Sequence, residues 1–178
     1  MTLEDYQADL RRSYVGGGPS ATVSGLVWSA TAIVFSQSGL QAGFATLFFG
    51  GMVIFPISML LCRTLFGRAG VVAGNPGGRI VVETLPMMFV GLFVAWLLMA
   101  NRPDLVFPIA AMAVGAHYFN FRTAYGDMTY YILGGLMVAV GAVAAMGLGL
   151  TSLHTIALIA AIEIAFGAYL VLANRKSG

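Results

Sequence analysis

Charge is what this sequence has least of. Nine Lys and Arg with seven Asp and Glu make 9% of its 178 residues, against about 25% in an ordinary soluble domain. A soluble globule of this size could not hide the apolar 59%, because surface scales too steeply with mass. Disorder needs the opposite composition, polar and charged. The net charge of +2 supplies no basic stripe, so no nucleic acid is expected as partner. Cysteine is nearly missing: Cys62 stands alone, which excludes an intrachain disulfide and a thiolate metal cluster. HExxH, GxSxG, Walker and dinucleotide patterns are absent from the chain, so no metal, cofactor or catalytic residue is expected. An intramembrane enzyme is the least favoured class, since it would need His117 and Glu83 to converge on one reacting atom.

What is there is long apolar runs. A helix crossing about 30 Å of hydrocarbon needs about 20 apolar residues. Six stretches meet or approach that length, at about 21–37, 42–61, 81–100, 105–121, 128–147 and 152–173. They are continuously apolar and lack the ten-residue alternation of a barrel. The expected fold is therefore all-α: one integral membrane domain over 1–178, a bundle of six transmembrane helices. If six helices cross, Arg11, Arg12, Arg63, Arg68, Arg79, Arg122, Arg175 and Lys176 lie on one side and Arg102 alone on the other. That bias places both termini in the cytoplasm.

The local signals are specific. Residues 2–14 read as an amphipathic helix lying on the membrane, with Thr2 and Asp5 as a capping box. Leu3, Tyr6, Leu10 and Tyr14 form its apolar face; Glu4, Asp5, Asp9, Arg11 and Arg12 fill the polar remainder. Gly16-Gly17-Gly18-Pro19 ends it, and the acidic start argues against a cleavable signal. Asn75-Pro76-Gly77-Gly78 reads as a tight turn with positive φ at Gly77. Pro56 and Pro86 are placed to kink the second and third spans. Gly50-Gly51 and Gly134-Gly135 occupy similar points of two three-helix halves, which fits an inverted repeat or simply close helix packing.

Ionisable groups inside an apolar span mark functional candidates. Glu163 is the clearest, in the middle of the sixth span, and Ser29 and Thr31 of the first span match its depth. His117 begins a segment rich in aromatics and hydrogen-bonding groups that runs to Tyr131. Two readings stand for that segment. One is an interfacial belt, with Arg122 on lipid phosphates and Asp127 at a helix start. The other is a cytoplasm-facing polar cavity lined by Glu83, His117, Asn120 and Tyr125, with Glu163 at its floor. Arg12, Arg63 and Arg122 are the expected contacts to lipid phosphate or the cytoplasmic face.

Several runs carry a resemblance: Arg11-Arg12-Ser13-Tyr14-Val15-Gly16-Gly17, Val23-Ser24-Gly25-Leu26-Val27-Trp28, Phe49-Gly50-Gly51-Met52, Leu61-Cys62-Arg63, Asn75-Pro76 with Glu83, and the His117–Tyr131 segment. Over most of its length the chain resembles a bacterial family of small polytopic membrane proteins of unknown function. The resemblance implies a multi-pass protein of the bacterial cytoplasmic membrane and implies no activity.

Two functions compete. One is a small transporter or ligand-binding membrane protein using the polar cavity. The other is a non-catalytic structural or partner-binding module whose partners are membrane lipids, a second copy of itself, or another membrane protein. The charge bias makes a direct prediction for both. Reporters fused to either end of the chain should be active in the cytoplasm and silent in the periplasm; periplasmic activity at either end would overturn the six-crossing topology.

Overall fold

The computed structural model describes residues 2–175; Lys176, counted above with the basic tail, lies outside them. Among the described residues the chain is helical and contains no strand. Helix α1 (Leu3–Ser13) begins with the expected capping box. The Asp5 amide donates to Thr2 Oγ1 (3.3 Å), and the Thr2 amide donates to Asp5 Oδ2 (2.6 Å). Acidic side chains in its first turn and Arg11 and Arg12 in its last complement the helix dipole. Three consecutive positive φ angles, 51° at Val15, 62° at Gly16 and 77° at Gly17, then turn the chain.

Helix α2 (Gly18–Thr64) is 47 residues long. Straight, it would extend about 70 Å, more than twice the hydrocarbon thickness of a bilayer. It is not straight. Gly39 takes φ 83° and ψ −173°, a region open essentially to glycine alone. Gly43 then packs against Phe35, and Gly50 against Val27. The helix is thus an antiparallel hairpin with arms 18–38 and 40–64, which correspond to the first two apolar stretches. Pro56 lies inside the second arm without a backbone break.

The remaining stretches also coincide with helices. Helices α3 (Gly77–Glu83) and α4 (Leu85–Leu98) are nearly continuous, interrupted at Thr84. Pro86 in the first turn of α4 has no N–H to give the Val82 carbonyl, and at the same break the Thr84 amide and hydroxyl both bond the Val81 carbonyl. Helices α5 (Val106–Tyr125), α6 (Thr129–Ala145) and α7 (Ser152–Asn174) follow. The fourth stretch, read from sequence as ending near 121, continues to Tyr125, where Gly126 at φ 68° stops it. Asp127 and Thr151 start the last two helices by accepting from the Thr129 and His154 amides. The turn expected at Asn75–Gly78 is different in kind. Positive φ falls on Gly74, not Gly77; Asn75 Oδ1 accepts from the Gly77 amide (2.9 Å) and launches α3 directly.

Small residues set the packing. Gly18 meets Gly167 and Val171 across the α2–α7 contact, and Gly25 meets Ala160 and Ile164. Gly115 meets Gly134, and Gly141 meets Pro108, between α5 and α6; Gly91 meets Ala113 between α4 and α5. Where a helix pair has two such contacts, residue numbers rise on one helix as they fall on the other, so these neighbours are antiparallel. Within Gly50-Gly51 and Gly134-Gly135 the first glycine makes a helix contact, while the second has open space beside it. Close approach accounts for both first glycines.

This arrangement gathers both ends of the described residues, α1 and the C-terminal end of α7, at one end of the bundle. There Arg11 reaches the Tyr125 carbonyl and Arg68 the Asn174 and Arg175 carbonyls. The opposite end holds the Gly39 fold, Trp96 and Leu97. Arg102, the exception to the charge bias, is there neutralised by Asp104 (2.8 Å). A broad apolar surface faces outward, including Phe49, Met52, Phe55, Met87 and Phe93. Val15–Thr64, Gly77–Leu98 and Ser152–Asn174 are long and apolar enough to cross a membrane, and Thr129–Ala145 is apolar but shorter.

Gly39 has nothing within 4 Å of where a Cβ would stand, so replacement there tests backbone strain alone. Gly39→Ala should lower stability by about 1–3 kcal/mol. Gly51→Ala, also in open space but within regular helix, should be neutral or stabilising by up to ~1 kcal/mol. Denaturant unfolding in mixed micelles measures both; equal effects would remove the hairpin's dependence on Gly39.

Candidate functional site

Two polar centres are built into this bundle, one at mid-depth and one at the end holding both termini. The first is Glu163, fully buried in α7 and about 15 Å from that helix's end at Asn174. Tyr118 of α5 donates its hydroxyl to Glu163 Oε1 (2.8 Å). Ser24, buried on the first arm of α2, lies beside the same carboxyl. Glu163 Oε2 has no hydrogen-bond partner. The depth-matched hydroxyls expected from sequence do not serve it. Ser29 and Thr31 donate back to the Gly25 and Val27 carbonyls of their own helix (2.8 and 2.9 Å), as β-hydroxyl side chains in helices commonly do.

Above Glu163, towards the chain ends, stands a cluster of buried aromatics. Tyr118 and Tyr130 stack with centroids 6.2 Å apart, Tyr125 and Tyr130 lie at 5.3 Å, and Phe121 joins them. Tyr130 donates its hydroxyl to the Gly16 carbonyl (2.6 Å). Gly17 makes this possible, since a Cβ there would collide with that hydroxyl. The His117–Tyr131 segment therefore divides by helical face. Tyr118, Tyr125 and Tyr130 turn inward, whereas Tyr131 is exposed beneath Arg122, whose guanidinium carbon lies 5.8 Å from the ring centre.

The single cavity drawn from sequence is not assembled. Glu83 is exposed at the C-terminal end of α3; its neighbour Thr84 meets His117 Nδ1 instead. His117 is half-buried, with Phe121 edge-on at 4.8 Å. Asn120 is exposed. Tyr125 is buried in the aromatic cluster, and its carbonyl takes Arg11. Glu163 lies beneath the cluster. Of the five residues, none shares a hydrogen bond with another among the described residues. Of the expected phosphate contacts, Arg63 and Arg122 are exposed, while Arg12 is engaged with Asp9 (3.0 Å).

The second centre is Asp9. Sequence placed it on the solvated face of α1; it is 6% exposed. Asn75 Nδ2 (2.8 Å) and the Val72 amide (3.0 Å) donate to its Oδ2, and Arg12 to its Oδ1. Asn75 also donates to the Tyr6 carbonyl, and Ser13 to the Gly70 carbonyl (2.8 Å). On the other flank of α1, Gln7 donates to the Thr123 carbonyl (2.9 Å), beside the Arg11 bond. These contacts clasp α1 onto the 65–77 connection and the C-terminal end of α5. An open recess of about 660 Å³ borders α1, lined by Asp5, Asp9, Arg11, Arg12 and Asn174 among others. Burial raises the Asp9 pKa, but the bonds from Asn75, Val72 and Arg12 outweigh it and hold the carboxyl below its usual range.

Sequence reasoning missed Asp9, Ser24, Thr84 and Tyr118. One signal was present: Tyr118, Phe121 and Tyr125 recur at intervals of three and four, the pattern of an inward face. For Asp9 the comparable signal was Ser13 four residues on, beside Leu10. Nothing in the order of residues announced that Thr84 would replace Glu83.

Comparison with known proteins adds one finding. The model of a family of unknown function (DUF7010) matches residues 3–174 of the chain. No curated protein matches, and no solved structure matches.

The Asp9 clasp predicts an acid limb. A carboxyl whose folded pKa is depressed stabilises above its unfolded value, near ~3.9, and that stabilisation is lost as pH falls through the folded value. Protection of the α1 amides, taken relative to their intrinsic exchange rates, should therefore be high at neutral pH and fall below about pH 4. Asp9→Asn presents an NH₂ to donors and should loosen α1 by about 1–3 kcal/mol at neutral pH, with the acid limb abolished. An unchanged limb in the variant would assign it elsewhere.

Proposed function

The chain belongs to the DUF7010 family of unknown function, and on that premise we propose that it is a non-catalytic structural or partner-binding membrane module. In this reading six helical segments cross a bacterial cytoplasmic membrane: the two arms of α2, α3 with α4, α5, α6 and α7. Both termini face the cytoplasm. The even number of segments, the gathering of both chain ends and the one-sided arginines support this topology.

The observation that carries the functional reading is the state of Glu163. A transporter would bring such a carboxyl to water or substrate. Here it is enclosed among α2, α5 and α7, bonded to Tyr118 and beside Ser24. The recesses bordered by Asp9 and by Trp96 lie at the two ends of the bundle, away from it. A buried carboxyl of α7 bonded by a hydroxyl of α5, with a hydroxyl of α2 beside it, acts as an interhelical tie. The outward small residues Gly135 and Ala139 of α6 offer a face for a second copy or another membrane protein, and the exposed Arg63 and Arg122 suit lipid phosphate.

The second reading, a small transporter or ligand-binding protein, is favoured by one fact: Glu163 Oε2 is unpartnered. Two measurements separate the readings. Crosslinking in native membranes should give a defined dimer or hetero-complex that Gly135→Leu weakens at least fivefold; a strictly monomeric chain would defeat the module. Flux into proteoliposomes across an ion and metabolite panel should equal that of empty vesicles. Flux abolished by Glu163→Gln would establish transport instead.

A further inference from the structure

The hydrogen bonding around Glu163 is incomplete in one specific way. Its Oε1 accepts the Tyr118 hydroxyl, and its Oε2 accepts nothing. A buried polar atom left unsatisfied is destabilising, and more so when charged. Among the described residues no Arg or His pairs with this carboxyl. The side chains facing it from the packed helices are Tyr118 from α5 and Ser24 from α2. Ser24 differs from its neighbours: Thr22, Ser29 and Thr31 all donate to a carbonyl four residues back, and Ser24 does not. Its hydroxyl is left facing the carboxyl and the Tyr118 hydroxyl. A carboxylate can only accept, whereas a carboxylic acid carries one O–H donor. A proton on Oε2 would let it donate to Ser24 and complete the set.

The surroundings also provide a direction of access. Tyr118 stacks on Tyr130, and the Tyr130 hydroxyl bonds the Gly16 carbonyl at the left-handed turn from which α1 departs. Two tyrosine hydroxyls on a stacked ring pair thus stand at either end of the path from the carboxyl to the base of α1, and α1 is fastened by the Asp9, Gln7 and Arg11 bonds. In the opposite direction α7 contains only apolar residues between Glu163 and Thr155, and the Ser29 and Thr31 hydroxyls on α2 are closed onto carbonyls of their own helix.

We propose that Glu163 Oε2 is an exchangeable proton site, loaded from water at the α1 end along the Tyr118–Tyr130 column when α1 lifts from its clasp. The proton moves from hydronium in the entering water to Oε2 and returns by the same path; no electrons are transferred. This goes beyond the module reading and is compatible with it, because access is from the α1 end alone: the proton exchanges with one side and is not carried across.

Infrared difference spectroscopy of wild type against Glu163→Gln, both reconstituted in lipid at neutral pH, tests it. The expected result is a neutral-carboxyl C=O band present only in wild type, which shifts on transfer to D₂O. Asp9→Asn, which frees α1, should speed that shift tenfold or more. Tyr118→Phe should move the band, assigning it independently if Glu163→Gln does not fold. Three outcomes would overturn the proposal: no such band, a band that stays unexchanged after the α1 amides have exchanged, or an exchange rate indifferent to Asp9→Asn. The crosslinking result for the module is unaffected by any of them.

Discussion

The close crossing of the first arm of α2 with α7 is the contact on which the rest of the structure depends. Glycines at 18, 25 and 167 let the two backbones approach to a distance that any larger residue would prevent, since a Cβ at each position would meet backbone atoms of the other helix. In apolar surroundings there is little hydrophobic gain from bringing helices together, so van der Waals fit and interhelical hydrogen bonds must supply the association. The crossing provides both. It also brings Ser24 and Glu163 side by side, and α5 closes over them with Tyr118. Remove the close approach and the carboxyl would have no hydroxyl opposite it on α2.

A second constraint acts at the end holding both termini. The 65–77 connection is irregular, and irregular backbone needs partners for its amides and carbonyls. It finds them in α1: the Val72 amide on Asp9, the Gly70 carbonyl on Ser13. Helix C-termini leave carbonyls unpaired, and these too are met by α1 or the connection. Gln7 and Arg11 cover the end of α5, and Arg68 covers the end of α7. The amphipathic helix α1 is a bracket across the helix ends, with its buried face made of Asp9, Leu10 and Ser13. The tyrosine column between the two centres links them mechanically, because Tyr130 bonds the turn that carries α1.

Much of the fold is legible in the order of residues. All six apolar stretches form helical segments, because a run of about 20 apolar residues has few alternatives to helix. The Thr2–Asp5 capping box and the glycine stop after α1 are readable because they are local: donors and acceptors three residues apart need nothing else. Glu163 can be singled out because a carboxyl in an apolar run is anomalous in one dimension. Its partners cannot, since depth matching ranks residues along a helix and says nothing of which way they face. Counting from a boundary also misses the register of the crossing: Gly25 meets Ala160 and Ile164, which sets Ser24 opposite Glu163, while Thr31 shares the face of Ser24 about two turns further along and Ser29 is turned away. Glu83 and Thr84 are adjacent in sequence yet about 100° apart around a helix, and that rotation alone exchanges a candidate for its neighbour.

Composition and local pattern alone determined that this chain is helical, apolar, organised in six long segments and asymmetric in its arginines. These properties are sums or short-range geometries, and no distant residue can change them. Tertiary structure decided that Asp9 is buried rather than solvated, that Tyr118 rather than His117 reaches inward, and that the residues expected to line one cavity separate. Each of those outcomes depends on the rotation of one helix against another, a quantity set by side chains 45 to 114 positions apart meeting across the bundle.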